Sequence, residues 1–123
     1  MTQKRKPQTR LVRAGLESDT QHGAVVPPIH LSATYAFAGL DQPRAYDYSR
    51  SGNPTRDLLG GALAELEGGA GAIVSATGMA AVTLALTLVK PGERVIAPHD
   101  CYGGTHRLLA ALQRTGRAEV GFV

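Results

Sequence analysis

Ala70-Gly-Ala-Ile-Val-Ser-Ala-Thr-Gly-Met-Ala-Ala-Val-Thr-Leu-Ala-Leu-Thr-Leu-Val-Lys-Pro-Gly-Glu-Arg-Val-Ile-Ala97 reads as strand, helix and strand in succession. Ala70 to Ser75 is a short run of small and branched apolar residues after a Gly-Gly break, the pattern of a buried strand. From Thr77 to Val89 the period lengthens. Met79, Val82, Leu86 and Val89 recur at helical spacing, and Lys90-Pro91-Gly92 ends the helix. Arg94 to Ala97 gives a second strand. Downstream, Thr105 to Thr115 predicts another helix, with Leu108, Leu109 and Leu112 facing inward and Gly116 closing it. Ala118 to Val123 opens a third strand. Strands alternating with helices of this length predict parallel βαβ units, and so an α/β fold.

Upstream of this segment, Asn53 can cap a helix that has Pro54 at its first position. Leu59, Leu63 and Leu66 mark its expected apolar face, and Gly68-Gly69 stops it. The first 55 residues are different in kind. They carry Pro27-Pro28, Pro43 and Pro54, which leave room for one short helix near Thr9 to Gly15 and then an extended arm. Some fifty residues of irregular chain are unusual inside a compact domain, so the arm is expected to pack on another subunit. The expected organisation is an arm over 1–55 and an α/β domain beginning at 56. A three-stranded parallel sheet would leave large apolar faces in water, which predicts the front portion of a longer protein.

The 123 residues suit one domain, and 43% hydrophobic with 19% charged residues reads as globular. The longest apolar run, Met79 to Val89, is shorter than the ~20 residues that span a bilayer. A single cysteine cannot build an internal disulfide, so a reducing, cytoplasmic setting is expected, with no membrane partner. The net charge of +3 is a local effect. Lys4, Arg5, Lys6, Arg10 and Arg13 supply five of the thirteen basic residues, leaving eight basic against ten acidic in the rest. That is a charged tail and not a nucleic-acid surface, and no nucleic-acid partner is expected.

Three segments carry chemistry. In open α/β sheets ligands gather beyond the carboxyl ends of the strands. Ser75-Ala-Thr-Gly-Met79 lies there, with small residues that let the N–H groups of a helix start approach an anion. Ala97-Pro-His-Asp-Cys-Tyr-Gly-Gly-Thr105 lies at the same edge, and its Tyr102 can offer a face to a flat ring. His99, Asp100 and Cys101 match no zinc spacing, and neighbours in one loop rarely converge on one centre. The third segment, Asp47-Tyr-Ser-Arg-Ser-Gly-Asn-Pro-Thr55, sets a phenol and a guanidinium two residues apart, on one face if extended. Both donate well to phosphate. The alternative is a polar loop in which Arg50 pairs with a carboxylate. The Gly-x-Gly-x-x-Gly pattern of a dinucleotide site is absent, and a phosphorylated aromatic cofactor suits these groups better.

Tyr48-Ser-Arg-Ser-Gly-Asn-Pro-Thr55, Thr77-Gly-Met-Ala-Ala81 and Asp100-Cys-Tyr-Gly-Gly-Thr105, together with Val25-Val-Pro-Pro-Ile-His-Leu31, resemble the Cys/Met-metabolism family of pyridoxal-phosphate (PLP) enzymes. The resemblance covers nearly all of the chain after the basic tail. It implies fold type I, with residues 56–123 as the first part of the large PLP-binding domain, and a homotetramer built from two catalytic dimers. It implies phosphate binding by the backbone of Gly78 and Met79. Tyr102 is implied as the residue that stacks on the pyridine ring and stands near the reacting substrate amine. It implies that Tyr48 and Arg50 reach the neighbouring subunit's cofactor phosphate, and that Asp47 and Arg107 contact an amino-acid substrate. Where close relatives often carry a second arginine, this chain has Ser51. The implied reaction is γ-replacement on an O-acylhomoserine by cysteine, giving cystathionine on the way to methionine. Sister activities of the family (homoserine sulfhydrylase, cystathionine γ-lyase, methionine γ-lyase) remain open, as does a non-catalytic fragment acting only through subunit pairing.

Such chemistry needs a lysine for covalent attachment of the cofactor. Lys4 and Lys6 lie in the tail, and Lys90 follows a helix carboxyl end, on the opposite edge of the sheet from the cofactor loops. In the family the attachment lysine, the pyridine-facing aspartate and the carboxylate-binding arginine come later than Val123. These 123 residues by themselves are therefore expected to be inactive.

Overall fold

The computed structural model describes residues 5–123, and Lys4 of the basic start lies outside them. The chain divides into a unit that ends at Val74 and a unit that begins at Ser75.

In the first unit, helix α1 spans Pro7–Val12 and helix α2 spans Pro54–Glu67. The expected helix near Thr9 to Gly15 thus starts and stops earlier. Pro7, whose fixed φ suits a first helical position, sets the start. Arg13 leaves the helical region, and Gly15 turns at φ +76°. The two helices touch, and Arg10 Nη1 donates to the Glu65 carbonyl of α2 at 3.1 Å. Between the helices the chain makes only two isolated bridges, Thr34 with Tyr48 and Gly39 with Gln42, as its prolines dictate. Asp19 organises one loop there. Its carboxylate accepts N–H groups of Gln21, His22 and Ala24 at 3.0–3.2 Å. Those bonds, Ala24's foremost, hold its pKa below the ordinary 3.8.

Helix α2 corrects the expected apolar face. Leu59 and Leu63 are exposed and only Leu66 is half-buried, while Gly60 and Ala64 are buried. The cause is close approach of backbone. A side chain at Gly60 would stand 3.3 Å from the Ala72 carbonyl and 3.7 Å from Val74 Cγ2, so the helix turns this glycine toward 72–74. Gly68 ends α2 in the left-handed region at φ 68°, as the Gly-Gly stop predicts.

In the second unit, helix α3 (Gly78–Leu86), strand β1 (Arg94–Ala97), helix α4 (Gly103–Arg114) and strand β2 (Glu119–Phe122) follow in order. Strands β1 and β2 pair in parallel, with Arg94 opposite Glu119 and Ala97 opposite Phe122, so β1, α4 and β2 form a βαβ unit. Leu109 of α4 is 2% exposed, with Leu108 and Leu112 half-buried beside it, as the spacing predicts. Met79, Val82, Leu86 and Val89 are the half-buried positions of their segment, although α3 itself closes at Leu86.

The expected strand over Ala70 to Ser75 does not form. Residues 71–75 join no ladder among the described residues, and Ile73 is 77% exposed. Extended backbone becomes strand only when a neighbour takes its N–H and C=O groups. The sheet accordingly has two strands and not three. Among the described residues no helix is long and apolar enough to cross a membrane.

Candidate functional site: an anion-binding helix start beside an aromatic wall

The second unit brings three of the sequence-predicted residues together. A cavity of about 460 Å³ is lined by Thr77, Gly78, Met79, Val82, Tyr102 and Thr105. Thr77 builds one end. It sits in extended backbone as the cap of α3, and its Oγ1 accepts the Ala80 N–H at 3.1 Å while its carbonyl accepts the Ala81 N–H. The first N–H groups of a helix have no partner within it, and capping here satisfies Ala80. The N–H groups of Gly78 and Met79 are left over, at the positive end of the helix dipole. Tyr102 builds the other side. It caps α4 without a side-chain bond and is 72% exposed, so its ring is available to a ligand.

Gly104 lets these pieces meet. A side chain there would come within 2.6 Å of Tyr102 Cε1 and 2.9 Å of Met79 Sδ. Thr105 Oγ1 contacts Met79 Sδ at 3.9 Å, tying the start of α4 to the start of α3. Arg107 does not line the cavity. It lies beside Gly103 on the exposed side of α4. His99 is committed to its own unit, with backbone N–H and Nδ1 both on the Val123 carbonyl, at 2.8 and 3.0 Å.

The first unit holds the remaining predicted residues, on a turn and not on an extended face. Tyr48 leaves its bridge with Thr34, and its carbonyl at once accepts the N–H groups of Ser51 and Gly52, each at 3.0 Å. The turn brings phenol and guanidinium together by another route. Arg50 Cζ lies 4.9 Å from the centroid of the Tyr48 ring. Among the described residues Arg50 makes no ion pair, so the polar-loop alternative finds no carboxylate for it. Asp47 is exposed and accepts the Tyr48 N–H at 2.7 Å, while its carbonyl takes the Tyr35 N–H at 2.9 Å.

Side chains at the start of α2 hold that turn. Asn53 Oδ1 caps α2 through the N–H groups of Thr55 and Arg56, and its Nδ2 donates to the His30 carbonyl and the Tyr35 hydroxyl. Thr55 Oγ1 accepts the His30 N–H at 2.9 Å. Arg56 donates Nη1 to the Ser49 carbonyl at 2.9 Å and Nη2 to the Arg50 carbonyl at 3.3 Å. Tyr46 packs against Tyr35, its phenol held above the ordinary 10.0 by burial first and by Asp57 next. The capping role of Asn53 was legible in sequence. The reach of Arg56 back to the turn left no local signal.

The arrangement of the second unit suits a phosphorylated ring. Two N–H donors stand at a helix start, an aromatic face stands beside them, and the close approach at Gly104 leaves room for no side chain between the two. An α/β unit with two free N–H groups at a helix start and an aromatic wall beside them has the groups that a phosphorylated aromatic cofactor needs. Residues 8–123 match the family described as Cys/Met metabolism PLP-dependent enzyme, and the chain belongs to that family, whose cofactor is PLP. It is 58% identical over 120 residues to cystathionine gamma-synthase of Escherichia coli K12, covering 97% of this chain and 31% of that protein. It is 42% identical over 109 residues to cystathionine beta-lyase of Lactococcus lactis subsp. cremoris MG1363, covering 88% and 29%. Among solved structures, cystathionine gamma synthase of Xanthomonas oryzae pv. oryzae, in complex with aminoacrylate and cysteine, superposes with a TM-score of 0.91 at 52% identity. That match covers 97% of this chain and 31% of the other. The fold is thus that of fold type I PLP enzymes, and the chain spans 31% of the length of the first of these relatives.

Proposed function

We propose that the complete protein is a cystathionine γ-synthase, catalysing γ-replacement on an O-acylhomoserine by cysteine to give cystathionine in methionine biosynthesis. The observation that supports this reading is 58% identity to a cystathionine gamma-synthase across nearly all of the chain, against 42% to a β-lyase.

Bound PLP supplies an electron sink for negative charge at the substrate α-carbon. In this reading the chain's own residues bind and orient. The N–H groups of Gly78 and Met79 hold the phosphate, because an anion there completes a helix start that capping leaves half-satisfied. The Tyr102 ring covers one face of the pyridine, and its phenol is the group that holds or moves a proton near the reacting amine. Tyr48 and Arg50 serve the phosphate of the neighbouring subunit, with residues 1–55 as the arm that carries them across a catalytic dimer, and two such dimers form the tetramer. Asp47 and Arg107 contact the amino-acid substrate. Lys90 follows the carboxyl end of α3, about 13 Å of helix from Gly78, so covalent attachment belongs to another lysine. The expected setting is the cytoplasm.

The test is substrate competition on the purified complete protein. O-succinyl- and O-acetylhomoserine are each offered with cysteine, and cystathionine is measured against release of 2-oxo acid from cystathionine or methionine. Cystathionine formation should dominate by at least about tenfold in kcat/KM. Preferential cleavage of cystathionine or methionine would assign a sister activity instead.

A further inference from the structure

We propose that Arg56 is a positioning residue for the phosphate-directed pair Tyr48 and Arg50. The inference rests on the reading that those two groups contact a cofactor phosphate. Arg56 is the third residue of α2, where a cation opposes the helix dipole, and its side chain forms no ion pair among the described residues. Helix stability alone disfavours it there. Its half-buried guanidinium instead forks across two carbonyls, Ser49 at 2.9 Å and Arg50 at 3.3 Å.

Those carbonyls belong to the two peptide units on either side of the Arg50 α-carbon. Holding both fixes the direction in which the Arg50 side chain departs, and the Arg50 guanidinium stays over the Tyr48 ring, 4.9 Å from its centroid. The Tyr48 carbonyl meanwhile accepts the Ser51 and Gly52 N–H groups, so the turn is pinned on both sides of Ser49 and Arg50. Preorganising the donors removes an ordering cost that phosphate binding would otherwise meet. A lysine keeps the charge but lacks the planar fork whose two arms meet the two carbonyls.

The experiment compares PLP with pyridoxal, which lacks the phosphate, in cofactor-stripped complete protein. Variants Arg56→Met, Arg56→Lys, Arg50→Met and the Arg50→Met/Arg56→Met pair are titrated by fluorescence. Arg56→Met should weaken PLP binding about tenfold and Arg56→Lys less, while pyridoxal binding stays unchanged. The double variant should lose no more than Arg50→Met alone, because both act through one group. Arg56→Lys carries the comparison where Arg56→Met does not fold. Wild-type PLP affinity in the Arg56 variants, with Arg50→Met weakened, overturns the proposal and leaves the phosphate reading standing. Equal loss for PLP and pyridoxal overturns it in favour of a purely structural clip. Wild-type affinity in Arg50→Met removes the phosphate reading, and this inference with it.

Discussion

Gly104 sets the distance between two side chains that belong to different helices. Any Cβ there meets the Tyr102 ring at 2.6 Å and Met79 Sδ at 2.9 Å, both closer than packed atoms allow. Tyr102 is largely exposed, so its ring is the part that yields. Gly104→Ala is therefore expected to swing the ring away from the α3 start at a modest cost of about 1 kcal/mol in stability. In the complete protein PLP affinity should fall further than stability does. Urea unfolding and cofactor titration of the same variant measure both, and an unchanged affinity would show that the ring does not need this position. The sequence displayed Tyr102, Gly103 and Gly104 as part of a glycine-rich loop at the strand edge. It did not display which glycine was required, because that depends on Met79 arriving from another helix.

Helix α2 begins where Asn53 follows the Tyr48–Gly52 turn, and the two events share one side chain. Asn53 accepts two N–H groups of the first helical turn and donates to His30 and Tyr35 from the opposite end of its amide. Asn53→Ala is expected to cost about 2 kcal/mol, roughly half from the cap and half from the orphaned partners. Asn53→Asp keeps the cap and loses only the Nδ2 bonds, so it should recover part of the difference in chemical denaturation. Helix starts were legible because Asn53-Pro54 and Thr77-Gly78 act locally. The inward face of α2 was not. Leu59 and Leu63 follow an apolar period, yet the close approach of Ala72 and Val74 turns Gly60 inward and leaves both leucines exposed.

At the scale of the molecule, apolar side chains lie in water along the first unit. Val25, Val26, Ile29 and Leu31 are all exposed, Leu31 at 90%. Apolar surface of this extent is suited to burial against further protein. If residues 1–55 form the proposed arm between subunits, Leu31→Asp should shift the complete protein from tetramer toward smaller species in light scattering. It should also lower PLP affinity, since Tyr48 and Arg50 would no longer reach a neighbour. A tetramer of unchanged mass and affinity would remove Leu31 from the interface.

The sequence by itself determined the order of helices, the Asn53 and Thr77 caps, the Gly68 stop of α2, the parallel pairing of the last two strands, and the residues of the cavity edge. These follow from local periodicity and from turn chemistry, which act within a few residues. Tertiary structure alone decided that 71–75 stays outside any ladder and that α2 packs by its small residues. It alone set Tyr48 and Arg50 on a turn held by Arg56. Each of these is a competition for backbone hydrogen bonds or for space between segments, and its outcome depends on which partner arrives.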